Sequence, residues 1–276
     1  MRAALFSCAS VETLDPQLQR YLQSEVPQSA RYSDVTKCFH YTKDGREVMV
    51  GGIHNWLRTL YYPDHKSNRS KRNHGRTALV GSTKEQGQRV DAELQLAVEG
   101  RKPEGRKRWP PMTVALMQWW RSHGHVLQAC QVPVELANGW SRMTKADVIT
   151  RSVADGKLWL WEVKTGWPVG FYLSSKEQPT FSGAKFGDIR CTEENVWYLQ
   201  LHYTHQALET MAGLRIEGGA RIIQVYARKG QKQLLVEERV PPPWLTTRVP
   251  LRVRPLEGVP VVVLGKRTTR PEDQDQ

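Results

Sequence analysis

Three charged residues stand in two apolar stretches of the sequence. Asp147 lies in Lys-Ala-Asp-Val-Ile-Thr, and Glu162 and Lys164 lie in Leu-Trp-Leu-Trp-Glu-Val-Lys-Thr-Gly. Charged groups are costly to bury unless they are paired or bind a metal ion. Two carboxylates form a hard oxygen site that suits Mg²⁺ or Mn²⁺, and a lysine beside them can orient or help to deprotonate a water molecule. A bound metal would lower the pKa of that water and stabilise charge on a phosphate, so the residue types suit phosphodiester hydrolysis.

The spacing of these residues places them on one face of a predicted sheet. An Asp155-Gly156 turn separates two strand-like stretches, one with Asp147 and one with the other two residues. Glu162 and Lys164 are two residues apart and therefore project from the same face of a strand, which Asp147 can reach from the neighbouring strand. The same alternation also permits an ordinary cross-strand ion pair on a solvated face, because a Glu-x-Lys tripeptide alone occurs by chance.

Hydrophobic periodicity along the chain predicts an α/β fold with a central mixed β-sheet flanked by helices. The predicted helices cover about residues 17–23, 53–62, 83–99, 112–122 and 193–211. The predicted strands cover residues 37–50, as a hairpin with an Asp44-Gly45 turn, and residues 126–136, 145–152, 157–164, 221–228 and 233–238. We divide the chain into an N-terminal accessory region (1–80), a core (81–240) and a C-terminal extension (241–276) with a polar tail that we expect to be disordered.

The ordered set of strand, Asp, turn, apolar strand, Glu-Val-Lys-Thr-Gly and long helix resembles the core of PD-(D/E)XK nucleases. The RecB-like branch, which includes lambda-type exonucleases, is the most similar, and the resemblance covers about residues 83–228. It implies a restriction-endonuclease-like core in which Asp147 and Glu162 hold Mg²⁺ or Mn²⁺. Asp91 and the backbone carbonyl of Val163 would assist as ligands. Lys164 would orient the attacking water.

Two flanking segments add to the resemblance. Gly87-Gln88-Arg89-Val90-Asp91 is similar to the upstream helix motif, in which a glycine precedes a metal ligand, with Asp91 where histidine is commoner. Tyr198-Leu199-Gln200-Leu201-His202-Tyr203 is similar to the downstream helix motif with a glutamine and a tyrosine. Gln200 would steady the catalytic lysine or the substrate, and Gln206 is an alternative for that glutamine. The family usually spaces the two residues four apart; here Gln200 and Tyr203 are three apart.

The excess of basic residues predicts a nucleic-acid partner. The chain has 40 Lys and Arg against 28 Asp and Glu, a formal net charge of +12. Neutralising phosphates releases counterions, so clustered basic residues suit a polyphosphate partner, and the nuclease resemblance implies that this partner is DNA, single-stranded or with free ends. A solvated basic surface or a localisation signal is the alternative. The candidate DNA contacts are Lys66, Arg69, Lys71, Arg72, Arg76, Arg106, Lys107 and Arg108, with Trp109, Trp167 and Tyr203 as aromatic contacts.

Other function classes fit the sequence poorly. No apolar run approaches the roughly 20 residues of a membrane span, and the N-terminal apolar stretch is too short for a secretory signal, so we expect an intracellular protein without membrane contact. The four cysteines form no CxxC pair, and none follows Cys191, so we expect no zinc or iron–sulfur site. His202 and His205 are three residues apart on a helix but lack a third ligand in sequence, so we expect them to line the site or a groove.

The sequence thus predicts a metal-dependent DNA nuclease, in particular an exonuclease of replication, recombination or repair. A structure-specific endonuclease is the rival within the enzyme class. A nucleic-acid-binding protein on a decayed nuclease fold is the rival outside it, and the intact Asp, Glu and Lys argue against it. Polarity of cleavage, end requirement and oligomeric state leave no mark on the residue pattern.

Overall fold

An eight-stranded mixed sheet flanked by helices forms the described part of the molecule, which confirms the predicted fold class. The computed structural model describes residues 14–54, 56–57, 83–105, 108–136, 142–166, 188–189, 192–227 and 234–249. Within these ranges, the helices are too short or too polar to cross a membrane. Residues 63–79, whose polar and basic composition predicts a loop, and the predicted disordered tail lie outside the described residues.

The predicted helices and strands occur in the predicted order with small shifts of their ends, and the structure adds two short helices, Glu25–Ser29 and Pro243–Arg248, and a short strand, Arg31–Ser33. The helices are α1 (Pro16–Leu22), α2 (Glu25–Ser29), α3 (Thr83–Val98), α4 (Pro111–Ser122), α5 (Glu193–Thr210) and α6 (Pro243–Arg248). The strands are β1 (Arg31–Ser33), β2 (Cys38–Lys43), β3 (Arg46–Gly52), β4 (His125–Glu135), β5 (Arg142–Ser152), β6 (Leu158–Thr165), β7 (Gly219–Ala227) and β8 (Leu234–Arg239). Of the helix predicted at 53–62, Ile53, His54, Trp56 and Leu57 are described, and all four are helical.

The N-terminal hairpin belongs to the same sheet as the candidate catalytic strands. β2 and β3 pair around Asp44 and Gly45, whose φ values of 51° and 69° fit the predicted two-residue turn. β3 then pairs in parallel with β5 at Gly51↔Arg142 and at the next residue pair. The remaining order is β5-β6-β7-β8, with β4 on β5 and with β6 and β7 parallel across α5. The accessory region therefore extends the sheet that carries Asp147.

β6 separates two apolar cores. Leu160 packs in the core shared with α5, whereas Trp161 and Val163 pack on the opposite face beneath α3 and α4. Side chains alternate between the faces of a strand, so Glu162 and Lys164 continue the Leu160 face and point toward α5. This arrangement confirms that the two charged residues share a face.

Apolar residues four apart in the sequence predict that Val90, Leu94 and Val98 form the apolar stripe of α3, and the structure differs in the last member. Val90 and Leu94 are buried as predicted, but the third buried residue is Ala97, and Val98 is half-buried. Seven residues make almost two turns of an α-helix, so position 97 returns to the face of Val90. Gly87 lies on the same face, and a Cβ there would stand 3.3 Å from Thr165 Oγ1. α3 therefore approaches the end of β6 closely.

We predict that Gly218→Ala destabilises the protein by about 1–3 kcal/mol, as overpacking of a filled site does. A Cβ at Gly218 would lie 2.1 Å from Nε1 of Trp159, whose ring covers this position. Gly52→Ala is the control, because its Cβ would meet Phe39 at an ordinary 3.6 Å. Urea unfolding measures both. Equal stability of the two variants would contradict the packing, as would an undiminished cost of Gly218→Ala in a Trp159→Val background.

Candidate active site

Asp147 lies where the side chains of β5, and those of its neighbour β4, switch from one face of the sheet to the other. In β5, Ala146 packs in the core on the α5 side and Val148 packs in the core beneath α3 and α4, although residues two apart share a face in a regular strand. β4 makes the same change at Gln131, which lies opposite Asp147 in the register and has a φ of 53°. Positive φ is uncommon for residues other than glycine. Because the alternation of side chains is interrupted in both strands, the Asp147 side chain is not confined to either face of the sheet.

The Asp147 carboxylate occupies a gap between β5 and β6. β5 pairs with β6 over residues 148–151 and with β3 at residues 142–143, so Asp147 falls where the strand changes partner. Its Oδ2 accepts the Val163 amide at 2.9 Å, and its Oδ1 accepts Gln131 Nε2 at 3.4 Å. The amide and carbonyl of one strand residue point to the same edge. We therefore expect the Val163 carbonyl, predicted as a ligand, to face this gap.

Glu162 is buried in contact with two polar side chains. Only 1% of its surface is exposed, and its Oε1 pairs with Lys164 Nζ. Gln200 of α5 donates from Nε2 to the same oxygen at 2.7 Å. Lys164 Nζ also lies 5.6 Å from the centre of the Trp197 ring. The structure thus brings together Glu162, Lys164 and Gln200, and Gln200 contacts the glutamate rather than the lysine.

Asp91 of α3 belongs to the same electrostatic cluster from the other side of the sheet. Burial raises the pKa of Asp91 to about 7, repulsion from Asp147 adds to the rise, and Lys164 and Lys145 oppose it. Asp91 is one helical turn after Gly87, whose missing side chain permits the close approach of α3 to β6. Gly87 therefore lets α3 come close enough to β6 for Asp91 to interact with Asp147 and Lys164.

The carboxyl groups of the cluster have raised pKa values and are therefore harder to ionise than exposed carboxyl groups. The pKa of Glu162 is raised to about 8, chiefly by burial and also by repulsion from Asp147, while Lys164 acts to lower it. Burial also raises the pKa of Asp147, against the attraction of Lys164 and the Val163 hydrogen bond. Burial alone would lower the pKa of Lys164, but attraction to Glu162 and Asp147 outweighs it and raises this pKa.

Lys145 is a second cation at the gap, and it is not among the residues predicted from the sequence. Burial lowers its pKa, while attraction to Asp91 and Asp147 opposes the shift. Its Nζ lies 5.8 Å from the ring centre of Phe39 in the N-terminal hairpin. The sequence offered one signal for Lys145, its position two residues before Asp147. That signal is weak, because lysine is also common at the ends of strands. Gln131 and His54, which also reach the cluster, carried no recognisable pattern.

The donor types suit a hard divalent cation, whereas their arrangement is not yet that of a metal site. Asp91, Asp147 and Glu162 carry three negative charges when ionised, and Lys145 and Lys164 carry two positive charges, which leaves one negative charge in excess. Carboxylate oxygens in that state favour Mg²⁺ or Mn²⁺. Among the described residues, however, no three His, Cys, Asp or Glu side chains converge as metal ligands. Glu162 would have to turn from Lys164 to join Asp147 on a cation.

Other polar residues of α5 lie away from the cluster. Gln206 Nε2 contacts His202 Nε2 at 3.0 Å, so Gln200 and not Gln206 is the glutamine at Glu162. Burial lowers the pKa of His202 to about 4, which makes it neutral near pH 7. His205 Nε2 lies 3.4 Å from a carboxylate oxygen of Glu209. The two histidines thus have separate partners.

Most of the predicted DNA contacts cannot be placed, because they lie outside the described residues. These are Lys66, Arg69, Lys71, Arg72, Arg76, Arg106, Lys107 and Trp167. Arg108 is exposed and Trp109 is half-buried just before α4. Tyr203 is 4% exposed and packs edge-on against Trp56, with 5.5 Å between ring centroids. Its ring fills the core on the α5 side and does not face solvent, where a base would stack.

We predict that Asp91→Asn makes the stability of the metal-free protein less sensitive to a rise in pH from about 4 to about 7. A carboxyl pKa raised on folding contributes stability below the unfolded value, and that contribution is lost as pH rises through the folded value. Wild type should therefore lose stability between about pH 4 and pH 7, by on the order of a few kcal/mol. The variant, which cannot ionise at position 91, should lose less, and Mg²⁺ should raise its melting temperature less than that of wild type.

Thermal melts at pH 5 and pH 8, with and without Mg²⁺, measure this difference. Glu99→Gln is the control from the end of the same helix, because Glu99 forms an exposed ion pair with Arg101. Identical pH profiles of wild type and Asp91→Asn would remove Asp91 from the cluster.

Comparison with known proteins gives no relative from which function could be read: no protein-family model, curated protein or solved structure matches this chain. Its function is inferred from its own residues and their geometry.

Proposed function

We propose that this protein is a metal-dependent nuclease of the PD-(D/E)XK type, RecB-like branch, that hydrolyses DNA phosphodiester bonds. The observation that carries the proposal is Glu162, which is 1% exposed, has its pKa raised to about 8 and lies against Lys164 beside Asp147. Burying such a cluster is costly, and strongly shifted carboxyls concentrate at functional sites. The residue types match those that the metal-assisted attack of water on a phosphodiester requires.

The three carboxylates of the cluster, Lys164 and Gln200 each have a role in this proposal. Asp147 and Glu162 hold Mg²⁺ or Mn²⁺, with Asp91 and the Val163 carbonyl as further ligands. When bound, the cation lowers the pKa of a water molecule and neutralises charge on the phosphate. Lys164, released from Glu162, orients that water and faces the developing negative charge. Gln200, whose amide contacts Glu162 at 2.7 Å, holds the carboxylate in position.

The charge of the chain favours a nucleic acid as substrate, and the nuclease resemblance makes DNA the substrate of this proposal. The net charge of +12 and two basic segments, residues 66–76 before α3 and residues 106–108 after it in the sequence, supply the phosphate contacts. In its specific form, the proposal is an intracellular exonuclease of replication, recombination or repair that acts on single strands or free ends. Cleavage of a covalently closed circle would identify an endonuclease instead.

A nucleic-acid-binding protein without catalysis is the second candidate. It is favoured by the pairing of Lys164 with Glu162 and by the absence, among the described residues, of three converging metal ligands. Such a protein would bind DNA with the same basic segments and would tolerate a neutral residue at position 162.

We expect Glu162→Gln and Lys164→Ala each to lower the cleavage rate on the order of 10³-fold, since each removes several kcal/mol of transition-state stabilisation. The matched controls are Glu194→Gln, in an ion pair at the start of α5, and Lys157→Ala, in an ion pair at the β5–β6 turn. Both should cleave as wild type does. End-labelled single- and double-stranded DNA and circular DNA, with Mg²⁺, Mn²⁺ or EDTA, provide the assay. Near-wild-type cleavage by either site variant would reject the proposed roles.

The basic segment at residues 106–108 should contribute to affinity and not to the chemical step. Replacing all three residues with alanine should flatten the dependence of log affinity on log salt, by roughly one unit for each phosphate that the variant no longer neutralises. The rate at saturating DNA should change little. An equal reduction of charge at Arg31, Lys37 and Arg46 in the N-terminal region serves as the control. Filter binding across a salt series measures the slopes, and equal slopes for wild type and the 106–108 variant would exclude the segment from DNA binding.

A further inference from the structure

A helical turn from the N-terminal region docks on α5 beside the cluster. Ile53 and Leu57 are 3% and 0% exposed and lie in the core shared with α5. Trp56, between them, is one of the partly buried residues packed against that core. The docking fixes His54, whose Nδ1 lies 3.4 Å from Gln200 Oε1. His54 and Gln200 are 146 residues apart in sequence, so tertiary packing alone creates this contact.

The two ends of the Gln200 amide have opposite partners. Nε2 donates to Glu162 Oε1 at 2.7 Å, and the same oxygen pairs with the Lys164 ammonium, which can only donate, so Oε1 accepts from both. The amide oxygen therefore faces His54 and accepts a hydrogen bond from it. His54 must carry its proton on Nδ1, as one neutral tautomer and the imidazolium both do. A flipped amide would set its oxygen against the carboxylate oxygen of Glu162.

We propose that His54 is a positioning residue that locks the Gln200 amide and thereby the orientation of the Glu162 carboxylate. The consequence for metal binding rests on the proposed function, whereas the tautomer of His54 does not. The N-terminal accessory region then supplies a residue that completes the active site, besides extending the sheet.

The contact between His54 and Gln200 should affect the affinity for the metal more than the affinity for DNA. A ligand carboxylate held by its neighbours needs no reordering when a cation binds, and removal of such an outer hydrogen bond commonly costs 10–100-fold in metal affinity or activity. Without His54, Gln200 is free to turn its oxygen toward Glu162 and repel it. The KM for DNA should stay near its wild-type value, because His54 contacts the amide of Gln200 and not the substrate.

Two substitutions of His54 test whether its Nδ1–H donor holds the Gln200 amide. His54→Ala removes the Nδ1–H donor, and His54→Asn replaces it with an amide N–H at a similar distance from the backbone. We expect His54→Ala to weaken Mn²⁺ binding and to lower kcat about 10-fold or more, and His54→Asn to recover most of both. In a Gln200→Ala background, His54→Ala should cost little more. Calorimetric Mn²⁺ titration, kinetics and thermal melts are compared across the set.

The nitrogen shifts of His54 test the contact without any activity. ¹⁵N NMR of histidine-labelled protein at pH 8 should show the proton on Nδ1, and Gln200→Ala should move it to Nε2. A bare Nδ1 in the neutral wild type would overturn the proposal, as would equal impairment of His54→Ala and His54→Asn. Wild-type Mn²⁺ affinity and kcat in His54→Ala would overturn it while leaving the proposed function in place. A wild-type protein that binds no Mn²⁺ and cleaves no DNA would overturn the proposed function and this role with it.

Discussion

The hydrogen bond from the Val163 amide to Asp147 is the contact on which the rest of the site depends. It lies where β5 leaves β6, so the amide would otherwise point into a gap between strands. Buried backbone groups are almost always paired, and here the partner is a side chain. The bond holds Asp147 at the position between Glu162 and Lys164 along β6. α5 then covers one face of this point, and α3 approaches the other.

The raised pKa values of its buried carboxyl groups distinguish this cluster from an ordinary ion pair on the surface. An exposed pair would leave its carboxylates with ordinary pKa values, whereas burial raises the pKa of Glu162 to about 8 and that of Asp91 to about 7. The two cores on either side of the sheet must offset the cost of burying these charged groups. Proteins commonly accept such a cost in stability where a ligand will relieve it. The proposed divalent cation would relieve it most directly.

Local patterns predicted much of the fold and the central residues. The Asp44-Gly45 turn, the strand with Glu162 and Lys164 and the length of α5 all follow from turn chemistry and periodicity. Contacts between distant parts of the chain left no such signal. The positive φ of Gln131, the parallel pairing of β3 with β5 and the approach of His54 to α5 arise only when the sheet is assembled. α6 was also missed, because a helix that begins at the last residue of a proline run reads as a break.

Diffraction from crystals soaked with Mn²⁺, recorded where manganese scatters anomalously, tests the central claim most directly. We expect one anomalous peak in contact with the carboxylates of Asp147 and Glu162, with Lys164 displaced from the glutamate. An intact Lys164–Glu162 pair and no peak at Asp147, at Mn²⁺ concentrations far above those that activate metal-dependent nucleases, would contradict the proposed metal site. The cluster would then be a buried ion pair that supports the fold.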